Sequence, residues 1–160
     1  MPEADADTLI EILQLRPHPE GGYYRETWRA TAPVGARPAG SAIYYLLAAG
    51  QRSAWHRVDA AETWHHYAGA PVELRIADGS GDRTAVRHVL GVDVPAGQRP
   101  QVVVPPGAWQ SAASLGGWTL VGCTVSPAFE FAGFELAAPG WEPGSPPGSE
   151  SAQTSGEAGA

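Results

Sequence analysis

Lysine and asparagine are absent from this sequence of 160 residues, and all 10 of its basic residues are arginine. Without lysine, the chain cannot form a Schiff base through a lysine amine, hold pyridoxal phosphate in that way, or supply the lysine of a phosphate-binding P-loop. Cysteine occurs once, at Cys123, which excludes an internal disulfide and a cysteine pair for zinc or an iron–sulfur cluster. Any chemistry therefore rests on carboxylate, imidazole, phenol and guanidinium groups.

Long apolar runs are also missing. The longest nearly uninterrupted one, residues 42–49, is far shorter than the roughly 20 residues that span a bilayer. The formal net charge of -7 repels phosphate backbones and anionic lipids, so neither nucleic acid nor a membrane is expected as a partner. The acidic amino terminus lacks the basic region of a signal peptide, and together with the single cysteine it predicts a cytoplasmic protein.

The spacing of apolar residues predicts one short helix followed by many strands. Thr8 and Glu11 fit a capping box, which predicts a helix over about 7–15. From Gly21 onward, short β-rich runs recur at intervals of roughly ten residues between Gly, Pro and Asp, a spacing typical of an all-β sandwich or barrel. The predicted strands are 23–29, 42–47, 54–58, 63–67, 72–77, 84–90, 102–104 and 118–125.

Composition divides the chain into a single domain, 1–138, and a tail, 139–160. Nine of the 22 tail residues are Gly or Pro, and most of the others are Ser, Ala or Glu. Such a segment has little apolar surface to bury, so it is expected to be disordered and to contribute little to stability.

The polar residues with the most informative spacing lie in the stretch 50–69. His56 and Val58 are two residues apart and would share one face of a strand, while Glu62 can point at the same space from the strand that returns. Gln110 follows a Pro-Pro-Gly turn that would begin another strand. His56, Glu62 and Gln110 are therefore predicted to converge inside an apolar barrel mouth, where small-molecule sites are commonly built.

These motifs resemble those of the cupin superfamily. The first cupin motif is matched at Gly50, His56, Glu62 and Gly69, with Val58 where many cupins have a second metal-binding histidine. The second motif is matched in spacing by the segment PPGAWQ at 105–110, which has glutamine in place of a histidine.

Further segments resemble the cupin branch called cupin_5: LRPHPEGGYYRETW at 15–28, SAIYYLL at 41–47, WHRVD at 55–59, ETWH at 62–65 and LVGCTVSP at 120–127. Together the resemblance covers about residues 9–136. It implies an all-β fold, the cupin double-stranded β-helix or jelly-roll barrel with a short N-terminal helix, in a homodimer with a pocket at one barrel end. The resemblance to this branch implies no particular reaction.

Two histidines beside Glu62 have alternative orientations. Strict strand alternation places Trp64 and His66 on the face of Glu62, whereas the family resemblance favours His65. A β-bulge would reverse the phase, so both histidines remain candidates for the pocket.

Several other residues have two interpretations each. Arg25 either binds a substrate carboxylate or forms a salt bridge in a dimer. Cys123 lies among apolar residues and is predicted to be a buried thiol, while His18 and His88 are predicted to be surface or turn residues. The tryptophans near the motifs either belong to the core or form a wall for a planar or sugar-like ligand: Trp55, Trp64 and Trp109.

Strand 22–28 has large or charged residues on both faces. This pattern predicts an edge strand that packs against a second subunit, and the alternative is that the N-terminal helix covers it.

Three functions are compatible with these residues, each with a small-molecule ligand. The first is a metal-independent isomerase, epimerase or lyase in which His56 and Glu62 form an acid–base pair and Tyr44 or Tyr45 supplies an opposing acid. The second is a metal-dependent oxygenase or related enzyme, whose divalent ion (Fe, Zn, Ni or Mn) would be held by His56, Glu62 and Gln110 with help from His65 or His66. The third is a metabolite-binding module without catalysis.

Overall fold

The computed structural model describes residues 4–145, so 1–3 and 146–160 lie outside the described residues. One helix precedes eleven strands, and a short 3-10 turn, Phe131–Gly133, comes before the last strand. The elements are α1 (Ala6–Ile12), β1 (Arg16–Pro17), β2 (Tyr23–Arg29), β3 (Ser41–Ala48), β4 (Arg52–Val58), β5 (Ala61–Gly69), β6 (Val72–Ala77), β7 (Val86–Leu90), β8 (Gln101–Val104), β9 (Trp109–Ser114), β10 (Trp118–Ser126) and β11 (Phe134–Leu136).

The strands form two antiparallel sheets that face each other. The six-stranded sheet has the order β1-β2-β3-β10-β5-β8, and the five-stranded sheet has the order β11-β4-β9-β6-β7. From β3 to β6 and again from β7 to β11, each strand lies in the opposite sheet to the one before it, which is the winding of a jelly roll. The predicted all-β double-stranded β-helix with a short N-terminal helix is confirmed.

The core lies between the two inner faces, where alternate residues of each strand are directed. Leu74 of β6 and Trp64 of β5 are fully buried there, and Cys123 of β10 is a buried thiol as predicted. The main cluster also contains Tyr45, Leu47, Val72, Leu90, Val104, Ala108, Ala112 and Val121.

The helix begins one residue before the predicted range of about 7–15 and ends three residues before its end. Its N-cap is Asp5, whose side chain accepts a hydrogen bond from the Thr8 backbone N–H at 2.8 Å, so the helix starts one turn before the position at which Thr8 would cap it. None of its residues is buried. Within residues 4–145 no helix is long and apolar enough to cross a membrane.

The predicted tail is packed at its start. Trp141 contacts Trp109, with ring centroids 4.7 Å apart, and also Trp55, at 6.1 Å. Glu142 bonds to Arg75, and the Gly144 N–H donates to the Gly81 carbonyl. Within the predicted tail, residues 141–144 thus have packing and hydrogen-bond partners, since one tryptophan among the glycines and prolines contacts an aromatic surface. Residues 146–160 lie outside the described range.

Candidate functional site

A cavity of about 380 Å³ opens inside the barrel. Its apolar wall is formed by Tyr24, Ile43, Val58, Val125, Phe129 and Phe131, and its polar wall by Arg16, His18, Glu20, Glu26, Arg29, His56, Glu62, Cys123 and Glu130. The volume lies at the lower end of the range for small-molecule pockets.

His56, on the buried face of β4, forms an ion pair with Glu20. Its Nε2 lies 2.8 Å from the Glu20 carboxylate, and the two residues are only 1% and 7% exposed. Its Nδ1 lies 2.7 Å from the Ala54 carbonyl oxygen. Because a carbonyl oxygen only accepts, Nδ1 carries a proton and donates it there, which directs Nε2 toward the carboxylate.

The protonation of this pair follows from its charges. Burial lowers the pKa of His56, but the Glu20 carboxylate outweighs burial and raises that pKa to about 9. Burial likewise raises the pKa of Glu20, but the His56 imidazolium holds it below its ordinary value. At neutral pH the pair is therefore an imidazolium and a carboxylate.

Glu20 reaches His56 because the turn before β2 is fixed against β4. The Ala54 N–H donates to the Glu20 carbonyl at 2.7 Å, and the Glu20 N–H donates to His18 Nδ1 at 3.1 Å. Gly21 has a φ of +105°, and a Cβ there would lie 2.2 Å from the Arg52 carbonyl oxygen, so only glycine allows this approach.

Glu62 lines the same cavity from the inner face of β5 and is 7% exposed. Burial raises its pKa, the His56 imidazolium opposes that rise, and the Glu20 carboxylate adds to it; the resulting pKa is about 7. Hydrogen bonds with the Gln110 amide and the Cys123 thiol favour the ionised form. Glu62 can therefore take up and release a proton near neutral pH.

Gln110 lies beside the cavity and is not part of its wall. It is fully buried on β9 opposite His56 in the β4–β9 register, and its Oε1 accepts a hydrogen bond from Trp64 Nε1 at 2.8 Å. The oxygen is thus occupied, and the amide N–H groups remain available to Glu62. The structure brings together the three residues on which the sequence prediction rested, with His56 bonded to Glu20, a residue that the prediction did not include.

Neither histidine next to Glu62 on β5 reaches the cavity. His65 is on the outer face of the sheet, where its Nε2 lies 3.3 Å from Thr124 Oγ1 and its ring stacks on Tyr67. His66 has the inward phase, but its Nε2 hydrogen-bonds to the Ala70 carbonyl, farther along the strand than the cavity wall extends. Neither His65 nor His66 therefore belongs to the cavity wall.

The other candidates also lie outside the cavity wall. Tyr44 is on the outer face of β3, edge-on to Tyr67, while the neighbouring Tyr45 is buried and donates to the Gly21 carbonyl. Arg25 donates to the Leu13 carbonyl at the end of α1. Trp64 belongs to the core, and Trp109 belongs to the cluster with Trp55 and Trp141.

His18 and Glu20 are the site residues that sequence reasoning missed. The prediction of His18 as a surface or turn residue is wrong for exposure, because its side chain is 6% exposed and packs edge-on against Tyr24 with centroids 4.6 Å apart. Both residues lie in a turn, where strand alternation gives no orientation. The signal available was the density of charged and aromatic residues in the segment 15–28.

The residues at the site do not fit a divalent metal. Both ring nitrogens of His56 are engaged, Val58 offers no donor, and the Gln110 oxygen accepts from Trp64. In the described part of the chain, no group of three or more His, Cys, Asp or Glu side chains is arranged to hold a metal ion. The predicted ligand set of His56, Glu62 and Gln110 is therefore not assembled as a metal site, since its donors already have protein partners.

Comparison with known proteins identifies the family of this chain. The family model described as Cupin superfamily (DUF985) matches residues 7–137. The chain is 39% identical to a protein from Shewanella oneidensis, with a TM-score of 0.80 and coverage of 85% of this chain and 86% of that one. It is 32% identical to a hypothetical protein from Leishmania major, with a TM-score of 0.77 and coverage of 84% and 88%.

The likeness extends to more distant cupins. Oxalate decarboxylase from Bacillus subtilis is 14% identical with a TM-score of 0.57, and the match covers 75% of this chain but 29% of the enzyme, so it concerns the fold alone. No curated protein matches the chain. With its family model covering nearly the whole barrel and the cupin winding of its strands, the chain belongs to the Cupin_5 family of the cupin superfamily.

Proposed function

We propose that this chain is a small-molecule acid–base enzyme of the isomerase, epimerase or lyase type that works without a metal. The observation that supports this most strongly is the pairing, within one cavity, of a carboxyl group that titrates near neutral pH with a fixed buried imidazolium–carboxylate pair. Groups with such displaced pKa values in a cavity are typical of acid–base sites.

Glu62 is the proton-transfer group in this proposal. With a pKa of about 7 it is present in both forms at neutral pH, the condition under which a general base is most effective. Its carboxylate removes a proton from a carbon next to a carbonyl. The C–H electron pair forms the C=C bond of an enolate, and the carbonyl oxygen takes the negative charge.

The His56–Glu20 pair supplies a fixed dipole beside that reaction. His56 stays protonated and Glu20 stays ionised through neutral pH, so the pair polarises the cavity wall without any rearrangement. Return of the proton from Glu62 after the enolate has turned its other face to the carboxyl group gives epimerisation. In a 2-hydroxy carbonyl compound, the hydroxyl proton passes to the enolate oxygen and Glu62 protonates the former carbonyl carbon, which gives isomerisation. Loss of a leaving group from the enolate gives a lyase.

The experiment is hydrogen exchange from D₂O into a panel of small keto acids and sugars, followed by NMR. Glu62→Gln keeps the shape of the side chain and removes its proton transfer, so we expect exchange to fall by at least about a hundredfold. The matched control is Glu11→Gln, a substitution of the same kind on the exposed helix. Equal exchange in wild type and Glu62→Gln would overturn the role of Glu62, and ligand binding without exchange would identify a binding module.

We also propose a homodimer formed through the outer face of the six-stranded sheet. On that face Tyr67 is 53% exposed and Val103 is 54% exposed, and both are large apolar residues. Apolar groups clustered on one open sheet face favour contact with a second subunit. On the predicted interface strand β2, Trp28 is likewise 55% exposed, whereas Tyr24 lines the cavity and Arg25 contacts α1.

A further inference from the structure

Two residues in the cavity wall have unused binding capacity. The first is Arg16, on β1. Arg29, the other arginine in the wall, donates two hydrogen bonds to Glu26 and one to the Phe129 carbonyl. In residues 4–145, by contrast, Arg16 has no hydrogen-bond acceptor and no ion pair, so its guanidinium is available to an anion.

Arg16 is nevertheless held in place. It lies opposite Tyr24 in the β1–β2 register, and its guanidinium carbon is 5.4 Å from the centroid of the Tyr24 ring. The ring of Tyr24 in turn packs edge-on with the ring of His18. A guanidinium on an aromatic ring keeps its N–H groups free at the edge, where they can bind a carboxylate through two parallel hydrogen bonds.

The second residue is Phe131, which lines the cavity although 56% of its surface is exposed. One side of its ring packs against Phe129, with centroids 5.0 Å apart, and against Phe134, at 6.1 Å. An exposed phenylalanine in a cavity wall gains free energy when a flat apolar group covers it.

The carboxylates in the wall differ in how far they are neutralised. Glu20 is neutralised by His56, and Glu26 is neutralised by Arg29. Glu130 lies 3.9 Å from Arg37, which is paired more closely with Asp59, and Glu62 is partly ionised near neutral pH. Arg16 is the basic group of the described wall that keeps an unpaired charge, so the carboxylate of a ligand would bind there.

We propose that the cavity binds small aromatic or otherwise planar monocarboxylates, with the carboxylate on Arg16 and the flat group on Phe131. The substrate then belongs to the aromatic keto acids, in which the carbon beside the ketone faces Glu62. The ligand class rests on Arg16 and Phe131, while the reacting position rests on the proposed function.

Binding is tested by NMR titration of the full chain with three probes: phenylacetate, the neutral phenylacetamide, and acetate, which has no ring. We expect phenylacetate to bind at least about tenfold more tightly than either of the other two. Arg16→Gln should remove the preference for phenylacetate over phenylacetamide. Phe131→Ser should remove the preference for phenylacetate over acetate.

The matched control is Arg52→Gln, which removes an exposed arginine that does not line the cavity and should leave all three affinities unchanged. Equal affinity for phenylacetate and phenylacetamide, an unaltered preference in Arg16→Gln, or no binding of phenylacetate at millimolar concentration would overturn the inference.

Deuterium exchange at C3 of 4-phenyl-2-oxobutanoate separates this inference from the proposed function. Arg16-dependent binding of the aromatic acids without exchange would support the ligand class and contradict the acid–base reaction. Exchange that depends on Glu62, is as fast on neutral ketones as on the aromatic keto acids, and is unchanged in Arg16→Gln would support the reaction and contradict the ligand class.

Discussion

Replacing Glu62 with glutamine should make the protein more stable at alkaline pH and leave its stability unchanged in acid. In the folded chain the Glu62 carboxyl has a pKa of about 7, because burial and the nearby Glu20 carboxylate disfavour its ionised form. In the unfolded chain it titrates at its ordinary value of 4.5. Glutamine resembles the protonated carboxyl at every pH, so the variant avoids the cost of ionising this buried position.

The direction of the effect follows from proton binding. Between pH 4.5 and about 7 the folded wild type holds a proton at Glu62 that the unfolded chain has released, so the free energy of unfolding falls as pH rises through that interval. The difference between the folded pKa of about 7 and the unfolded pKa of 4.5 corresponds to about 3 kcal/mol, since one pKa unit is about 1.4 kcal/mol. Above pH 7 the Glu62→Gln protein should therefore be more stable than wild type by about 3 kcal/mol.

Urea denaturation at pH values from 4.5 to 8.5 measures this difference. His56 contributes a loss of stability of the same sign as pH rises from 6.5 toward about 9, because its folded pKa is also raised. Subtracting the wild-type curve from the variant curve removes most of that contribution and isolates Glu62. A difference that stays constant across the pH range would refute the burial and charge argument, and Glu11→Gln, at an exposed position, supplies the flat control.

Three other predictions concern the rest of the molecule. His56→Asn should destabilise the fold by about 3–5 kcal/mol in thermal or urea unfolding, because it leaves the buried Glu20 charge without its partner, and adding Glu20→Gln should restore part of the loss. Ending the chain at residue 139 should lower the free energy of unfolding by about 2 kcal/mol more than ending it at 145, with a lower melting temperature, and Trp141→Ala should largely reproduce this loss. Equal melting temperatures for the two truncations would contradict the packing of that segment. Light scattering at micromolar concentration should give twice the chain mass for wild type and a lower mass for Tyr67→Glu, while an unchanged mass would place the interface elsewhere.

Most strands were predictable because their sequences carry the period-two pattern directly. The predicted bounds of β2 and β6 agree with the structure at both ends. β9 was expected only from the turn before it, since WQSAAS has no β-branched residue and its small side chains give little alternation. β1 and β11, with 2 and 3 residues, are too short for any periodic signal.

The site was predictable where it lies on strands and was not where it lies in turns. Strand alternation placed His56 and Glu62 on inner faces, because the direction of a strand side chain follows from its position alone. The same rule has no force for Glu20, whose approach to His56 depends on the φ of Gly21 and on a hydrogen bond from β4. Alternation also could not give depth along the strand, and for that reason His66 shares the phase of Glu62 without reaching the cavity.

Glu20 explains how His56 is bonded although Val58 and Gln110 stand where many cupins have metal-binding histidines. A buried imidazole without a metal needs another partner for its second nitrogen, and Glu20 provides one at 2.8 Å. Burial raises the pKa of Glu62 most, the His56 imidazolium opposes that rise, and the charge of Glu20 adds to it, while the Gln110 amide, fixed by Trp64, partly offsets it. One carboxylate thus keeps His56 protonated and also adds to the pKa of Glu62, so both groups of the proposed reaction depend on the same turn residue. Removing the Glu20 charge should therefore lower the pKa of His56, and once His56 is neutral Glu62 also loses the imidazolium that opposes the rise of its pKa.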